Sequence, residues 1–554
     1  MVAGVSGRAG KVVRSNVRGE VSDVVSAVED TMPLTLQEGD GGPGGPGTDD
    51  GSGRGTDDDR RRRRRRRVVR WSASVLALAM ASTATAGYLY YEHLNHNIKK
   101  ESLNIGDSKD RATKTRANAA GQTPLNILLI GSDARDSAEN VKLGGARDIG
   151  TAARADVQML LHVSADRTNM SVVSMPRDTL VSIPKCTDAK TGKVYPATAD
   201  TMTNASLERG GPGCTVATWE KLTGIHIDHF MMVDFSGVVS MADAIGGVPV
   251  CVDANIYSHT SSGHGSGLKL KKGTTSVKGK QALQWLRTRY GFEDGSDIAR
   301  TKAQHMYMNS MVRQLRSNAT LSNPDKLLGL AETATKAVTV DTGLGSVTKL
   351  YALSKELKKV PTARITMTTM PFVYSADGNR VLPKPTDAAK LWRLVREDIA
   401  LDGKDKKKTA TAAKVTDKAA ADDRIAVQVQ NGTKSSAESA VTGRAAAVTQ
   451  LLVGKGFTKA AADSSALLSA DQTLVRYPSA DLAGDAQRVA KVLGIPAAQV
   501  KKSTAVDGVT VVVGADWRSG TKYTADDDTT PTSANALNAS DTKACMHVDP
   551  DYTW

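Results

Sequence analysis

With 554 residues, the chain is too long for one ordinary domain, and its 73 Lys and Arg against 59 Asp and Glu give a formal net charge of +14. Much of that excess sits in one unbroken tract, Arg60 to Arg67. No element reads as a DNA-reading helix, so a nucleic-acid partner is excluded as the explanation of the charge.

Residues 1–70 are rich in Gly, Asp and Arg, lack apolar periodicity, and are expected to form a disordered cytoplasmic region. Trp71 to Tyr91 carries no charge over a length that crosses a bilayer and is predicted to be a transmembrane helix, with a cleaved signal peptide ending near Ala84 to Ala86 as the alternative. The arginines on its N-terminal side place that side in the cytoplasm, giving a single-pass membrane protein whose bulk is extracellular. Residues 92–122 are polar and read as a stalk.

The first strong strand is Asn126 to Gly131, a continuous apolar run of the kind buried on both faces. Val157 to Val163 and Met170 to Ser174, separated by a turn-rich SADRTN, read as a hairpin that Pro176 then stops. Phe230 to Val252 reads as strand, helix, a Gly246-Gly247 stop and another strand. Gly279 to Tyr290 reads as a helix running into an arginine pair, and Asp297 as the cap of a long helix ending near Ser317. Alternation continues to Leu401, so residues 123–401 are expected to be an α/β domain with a central mixed β-sheet flanked by helices. A charged linker, 402–423, leads to a small C-terminal α/β domain, 424–517, and residues 518–554 are expected to be a disordered polar tail.

The charged fragments of the large domain read as one site for a metal-bound pyrophosphate. Asp133 follows a buried strand and Asp156 opens another, and two carboxylates suffice for Mg²⁺ (or Mn²⁺), which completes its shell with water and substrate phosphates. Arg154, Arg177, Arg287, Arg289, Arg300 and Gln304 would hold the phosphates, because guanidinium binds them bidentately. The competing reading is a set of internal salt bridges, such as Arg177 to Asp178 or Arg300 to Asp297. His226 and His229 have no partner at zinc-ligand spacing. Cys186 and Cys214 bracket a long loop and are expected to form a disulfide outside the cell, free thiols being the alternative; Cys251 reads as a small core residue, and Cys545 has no legible partner.

The fragments NILLIGSDAR (126–135), RADVQML (154–160), SVVSMPRDTLVSIP (171–184), DAIGGVPVCV (243–252), LRTRY (286–290) and DIARTKAQ (297–304), in this order, resemble the LytR-CpsA-Psr family over 123–401. Residues 425–517, opening on a VQVQNGT segment, are similar to the LytR C-terminal domain. The resemblance implies a membrane-anchored enzyme that moves a glycopolymer from an undecaprenyl-pyrophosphate carrier to peptidoglycan. It implies Asp133 and Asp156 as Mg²⁺ ligands, the arginines and Gln304 as head-group ligands, and the sheet and helices as walls for the apolar carrier. The chain departs from the family pattern at Ala303, where an arginine is common, which implies one phosphate contact fewer, and at Ala155, where a small hydroxyl residue is usual.

The implied reaction is a Mg²⁺-assisted phosphoryl transfer with Arg177 stabilising charge and Asp178 or Asp297 as base or as orienting group. The alternatives are a polyprenyl-pyrophosphate phosphatase and a non-catalytic cell-envelope adaptor. Because every candidate residue precedes Leu401, a chain stopped there is expected to keep the chemistry.

Overall fold

The computed structural model describes residues 56–103, 111–115, 117–118, 120–134, 137–144, 152–316, 324–405, 417–434, 439–463, 468–470, 472–524 and 528–554. Residues 1–55, and so most of the segment expected to be disordered, lie outside them. The chain divides into two compact units, residues 1–82 and 83–554.

The first helix, α1 (Thr56–Asn97), is longer than the 71–91 segment read from sequence, because the arginine tract continues the same helix. Arginine is a good helix former and needs no buried face. Among the described residues this is the helix long and apolar enough to cross a membrane, with Val75, Leu76 and Leu78 exposed. Beyond Ser82 it belongs to the second unit, where Tyr91 Oη stands 2.9 Å from Thr348 Oγ1 and Asn95 Oδ1 accepts the Val347 N–H at 2.9 Å.

The described strands of the large domain include β1 (Lys99–Glu101), β2 (Leu125–Ser132), β3 (Ala155–Val163), β4 (Met170–Ser174) and β5 (His229–Val233). Further along come β6 (Val248–Val252), β7 (Gly273–Val277), β8 (Val338–Asp341) and β9 (Ile365–Thr369). The C-terminal domain adds β10 (Ala426–Asn431), β11 (Lys459–Asp463), β12 (Leu474–Tyr477), β13 (Val500–Lys502) and β14 (Val509–Val513), and the tail adds β15 (Leu537–Asn538). The helices are α2 (Ala138–Gly144), α3 (Gly211–Thr223), α4 (Phe235–Ala244), α5 (Gly279–Arg287), α6 (Asp297–Arg316), α7 (Pro324–Ala337), α8 (Val347–Lys359), α9 (Pro385–Arg396), α10 (Arg444–Gly454) and α11 (Ala483–Leu493).

Eight described strands form the central sheet in the order β1-β8-β5-β2-β3-β4-β9-β15. It is mixed: β5 runs parallel to β2 and β9 parallel to β4, while β3 runs antiparallel to both β2 and β4. Successive residues of a strand point to opposite faces, and here both faces are covered. Leu128, Ile130, Leu160 and Val173 join one core with Trp219 of α3 and Trp392 of α9, whereas Ile127, Met159, Leu161 and Val172 join another with Leu353 of α8. A third core gathers β6, α5 and the N-terminal half of α6 around Trp285 and Phe292.

The C-terminal domain has its own five-stranded sheet, β11-β10-β14-β12-β13, and its own core. It touches the large domain where Gln472 Nε2 donates to Glu397 Oε2 at 2.9 Å.

The tail contradicts the expectation of disorder. Its strand β15 pairs with the edge strand β9, its Cys545 is bonded to Cys251, and Met546 and Val548 are buried in the third core. Polar composition concealed this, because a few scattered apolar side chains, one short strand pairing and one covalent bond hold the segment. Cys251 is accordingly half of a disulfide and not the small core residue expected.

Candidate active site

The site is assembled where β2 and β3 end. Gly131 is the last residue but one of β2, and a Cβ there would stand 2.8 Å from Val157 Cβ, so only glycine lets the two strands approach. The register then slips: Gly131 faces Val157 but Ser132 faces Ala155, leaving Asp156 as the extra residue of a β-bulge. A bulge re-aims its side chain and commonly lies beside an active site. Asp133, next along, accepts the Arg154 N–H on Oδ1 at 2.6 Å and donates its own N–H to Arg154 O at 3.2 Å. Asp133 and Arg154 are thus locked face to face, with Asp156 two residues on.

Arg177 and Asp178 lie in the turn after β4, where Met175 N–H still reaches Gln158 O at 3.0 Å and Pro176 ends the pairing. The Arg177 Nη1 donates to Asp156 at 3.0 Å, and its Nε stands 3.5 Å from Asp178 and 3.7 Å from Asp297. Asp297 is the hub of the cluster, also taking Arg289 at 2.5 Å and Arg300 at 2.8 Å. It is free to do so because Ser296, not Asp297, caps α6: the Ser296 Oγ accepts the Ala299 N–H at 3.2 Å.

Two predicted residues sit apart from this hub. Gln304 is buried and donates to Leu286 O at 3.2 Å, tying α6 to the end of α5. Arg287 donates to Leu143 O at 3.1 Å, and its guanidinium lies 5.1 Å from the Phe235 ring. Ala303 is fully buried in the third core and its carbonyl accepts the Trp285 Nε1–H at 3.0 Å. The departure from the family pattern therefore falls on a core position of this chain.

Sequence reasoning missed Glu208, whose carboxylate receives Arg154 Nε at 3.2 Å. It lies on the 3₁₀ turn Thr203–Arg209, and Gly210 behind it packs 3.1 Å from Cys186 Cβ and 3.2 Å from Cys214 Cβ, measured from the position a Cβ would take. The expected Cys186–Cys214 disulfide is present and steadies this turn. No motif flags Glu208, which is 54 residues from its partner.

Burial pulls the Arg177 guanidinium down, but Asp156, Asp297 and Asp178 outweigh it and hold it above its ordinary value. Arg300 is lowered by burial to about 10, with Asp297 opposing and Arg177 and Arg289 adding to the shift, so it too stays charged near neutrality. Both keep a buried Nε with no hydrogen-bond partner among the described residues. Such donors are costly to leave unmade and fit an anion. The internal salt bridges expected as the competing reading are present, Arg177 standing 3.5 Å from Asp178 and Arg300 2.8 Å from Asp297.

Among the described residues no group of three His, Cys, Asp or Glu could hold a metal. Asp133 and Asp156, the two carboxylates expected as metal ligands, lie at the bulge, where Asp133 accepts the Arg154 N–H and Asp156 takes the Arg177 guanidinium. His229 is instead engaged with Asp341 at 3.1 Å, and His226 stands 3.6 Å from Glu220.

Comparisons with known proteins identify the family of each folded region. The LytR_cpsA_psr family model matches residues 90–397, more than half of the chain, and the LytR cell envelope-related transcriptional attenuator model matches residues 424–517. The cell wall biosynthesis protein LcpA of Corynebacterium glutamicum is 29% identical over 55% of this chain and 59% of its own length. The probable cell wall biosynthesis protein LcpB of the same organism is 32% identical over 41% of this chain and 50% of its own length, so the chain spans little more than half of these relatives. The polyisoprenyl-teichoic acid–peptidoglycan teichoic acid transferase TagT of Bacillus subtilis is 23% identical over 54% of this chain and 85% of its own length. Among solved structures, the LytR-Csp2A-Psr enzyme from Actinomyces oris covers 54% of this chain and 95% of its own at 20% identity and a TM-score of 0.39. The chain belongs to the LytR-CpsA-Psr family.

Proposed function

We propose that this chain is a membrane-anchored, extracellular transferase that moves a glycopolymer from a polyprenyl-pyrophosphate carrier to peptidoglycan. The observation that carries the reading is the pair of buried Nε donors of Arg177 and Arg300, both beside Asp297, that make no hydrogen bond among the described residues. In this reading α1 is the single membrane span, with the arginine tract on its cytoplasmic side. The similarity to TagT, a polyisoprenyl-teichoic acid–peptidoglycan teichoic acid transferase, supports the substrate class.

The electrostatics point to a metal. Arg154, Arg177, Arg287, Arg289 and Arg300 are matched by Asp133, Asp156, Asp178, Asp297 and Glu208, so the residues alone offer no surplus positive charge to a pyrophosphate. A divalent cation would supply it, and two aspartates with no histidine or thiolate fit Mg²⁺ or Mn²⁺. Asp133 and Asp156 would hold that ion, which when bound neutralises charge on pyrophosphate oxygens.

The residues of the chain then divide the work. Arg177 and Arg300 donate to phosphate oxygens on which charge builds as the acceptor sugar hydroxyl attacks phosphorus and the polyprenyl phosphate leaves. Arg289 approaches the same hub, Arg154 is held against Asp133 at the bulge, and Arg287 lines a cavity with Arg289. Asp297 spends its oxygens on three arginines and orients them, which leaves Asp178 the better placed of the two to take the acceptor proton. Gln304 positions the α5 end that carries Arg287 and Arg289.

The test is to incubate the full chain in detergent with lipid-linked donor, a peptidoglycan oligomer and Mg²⁺, and to weigh the products by mass spectrometry. Polymer on the oligomer supports the transferase. Free polymer phosphate and no conjugate makes the protein a polyprenyl-pyrophosphate phosphatase, and an untouched donor leaves the envelope adaptor.

A further inference from the structure

Aromatic residues make up only 4% of the chain, yet four partly exposed rings gather beside the arginines. Tyr290 directly follows Arg289, is 43% exposed, and has its ring centroid 6.3 Å from that of Tyr552. Trp554 is 49% exposed and is held by its Nε1–H to Ile256 O at 3.1 Å, while its carbonyl accepts Asn255 Nδ2 at 2.9 Å. Tyr257, beside Ile256, stacks on His259 with centroids 5.2 Å apart. The Lys269 Nζ sits over both Tyr257 and Trp554, 5.1 Å and 4.3 Å from their ring centroids.

The arrangement is built and not accidental. Gly291 has φ +99° and its missing Cβ would stand 3.0 Å from Tyr552 Cβ, so the tail can lie against this turn only over a glycine. The Asp549 N–H donates to Gly291 O at 3.1 Å, and the Cys251–Cys545 bond fixes the approach. The surface runs into a cavity of about 240 Å³ lined by Lys280, Arg287, Arg289 and Tyr290.

Its charge is basic. Leu268 to Lys280 contains five lysines, Lys269, Lys271, Lys272, Lys278 and Lys280, and no acid. Of the nearby carboxylates, Asp253 is paired with His547 at 2.6 Å and Glu293 with Lys302 at 2.6 Å, while Asp549 caps the final turn and Asp551 is exposed. Exposed rings rimmed by polar groups mark binding surfaces. A sugar ring presents an apolar C–H face to an aromatic plane and hydroxyls to the rim, and lysines add a preference for negative charge.

We propose that the surface formed by Tyr257, Tyr290, Tyr552 and Trp554 binds the anionic glycan of the donor, with its sugar rings on the aromatic faces and its charges toward Lys269 and Lys280. The assignment to the donor rests on the transferase reading: the donor's first sugar is bonded to the phosphate, and Arg289 belongs both to the Asp297 hub and to the cavity from which the surface extends. The polymer leaving the phosphate site meets this surface first.

The test uses the full chain in detergent and, as probe, a hexamer of N-acetylglucosamine units joined by phosphodiesters, titrated calorimetrically beside a lysozyme-released disaccharide-peptide. The doubly substituted Tyr552→Ala, Trp554→Ala variant is expected to bind the hexamer about fourfold to a hundredfold more weakly, roughly two- to tenfold per ring, and Trp554→Phe to recover most of one step. Donor KM should rise in parallel with a smaller change in kcat, while the affinity for inorganic pyrophosphate stays at the wild-type value. Tyr257→Ala, outside the tail, should weaken the hexamer as well and guards against a loss caused by loosening the tail. Unchanged hexamer affinity in folded variants overturns the proposal, as does a loss confined to the disaccharide-peptide, which would make the surface an acceptor site. Hexamer binding that persists in a wild-type protein lacking transfer activity would sink the transferase reading and leave a saccharide surface standing.

Discussion

Replacing Asp297 by Asn keeps the shape of the side chain and removes the one charge that three arginines share. The carboxylate stands 2.5 Å from Arg289, 2.8 Å from Arg300 and 3.7 Å from Arg177. Removing one partner of a buried ion pair costs about 3 to 5 kcal/mol. The side chains of Asp297 and Arg289 keep 16% and 33% exposure, so solvent screening brings the expected loss to about 2 kcal/mol. Urea unfolding should show it as a lower midpoint at unchanged slope. The effect on anion binding has the opposite sign. At a separation of about 6 Å and an effective dielectric constant of about 20 to 40, one unit charge is worth about 1.4 to 2.8 kcal/mol. Asp297→Asn should therefore bind inorganic pyrophosphate about tenfold to a hundredfold more tightly than wild type when Mg²⁺ is absent. Turnover of lipid-linked donor should nevertheless fall by about 10² to 10³, because Arg289 and Arg300 lose the anchor that aims them. Calorimetric titration of the full chain with and without Mg²⁺ gives the first quantity, and steady-state assay the second. A folded Asp297→Asn protein that binds pyrophosphate more weakly than wild type without metal would refute the charge balance drawn for the site.

His305, fully buried against Ser174 Oγ at 2.5 Å, has its pKa lowered by burial to about 4. The unfolded chain takes up this proton near pH 6.5 and the folded one near 4, so the contribution is complete above about 6.5 and is lost as pH falls to 4, at about 1.4 kcal/mol per unit. Between pH 6.5 and 4 the urea midpoint of wild type should fall more steeply than that of His305→Gln, and equal slopes over that window would show that this residue does not carry it. Cys545→Ser opens a bond spanning 294 residues and should cost about 3 to 5 kcal/mol, with protease cleavage appearing first between Asn535 and Trp554; mapping of the unreduced wild type should return both crosslinked pairs. Gly131→Ala should cost about 1 to 3 kcal/mol by forcing a methyl against Val157 and should depress turnover further by moving the Asp156 bulge, which a folded variant with native kcat would contradict. A chain stopped at Leu401 should unfold at lower urea than the full chain, because it exposes the edge of β9 and removes Met546 and Val548 from the third core; an unchanged midpoint would show the tail to be dispensable.

The sequence by itself determined what depends on local pattern. The run from Asn126 to Gly131 specifies a doubly buried strand, and SADRTN followed by Pro176 specifies a hairpin and its end, because apolar continuity and turn chemistry act within a few residues. The charged fragments sit at strand and helix ends, so their convergence was legible as a set, and four of the six phosphate candidates do lie on or beside the Asp133 to Asp297 cluster. Only the tertiary structure decided which carboxylate each arginine takes. Asp297 became a hub because Ser296 relieved it of capping, Glu208 entered through a turn 54 residues away, and Gln304 turned to a backbone carbonyl. The same holds for the tail. Its composition is that of a segment too polar to fold by itself, and it is ordered by surfaces that lie up to 294 residues earlier in the chain: an open strand edge, a half-filled core and a cysteine. Short-range pattern records what a segment prefers alone; partners distant in sequence leave no trace in it, and they set the register, the ion pairs and the last strand of this fold.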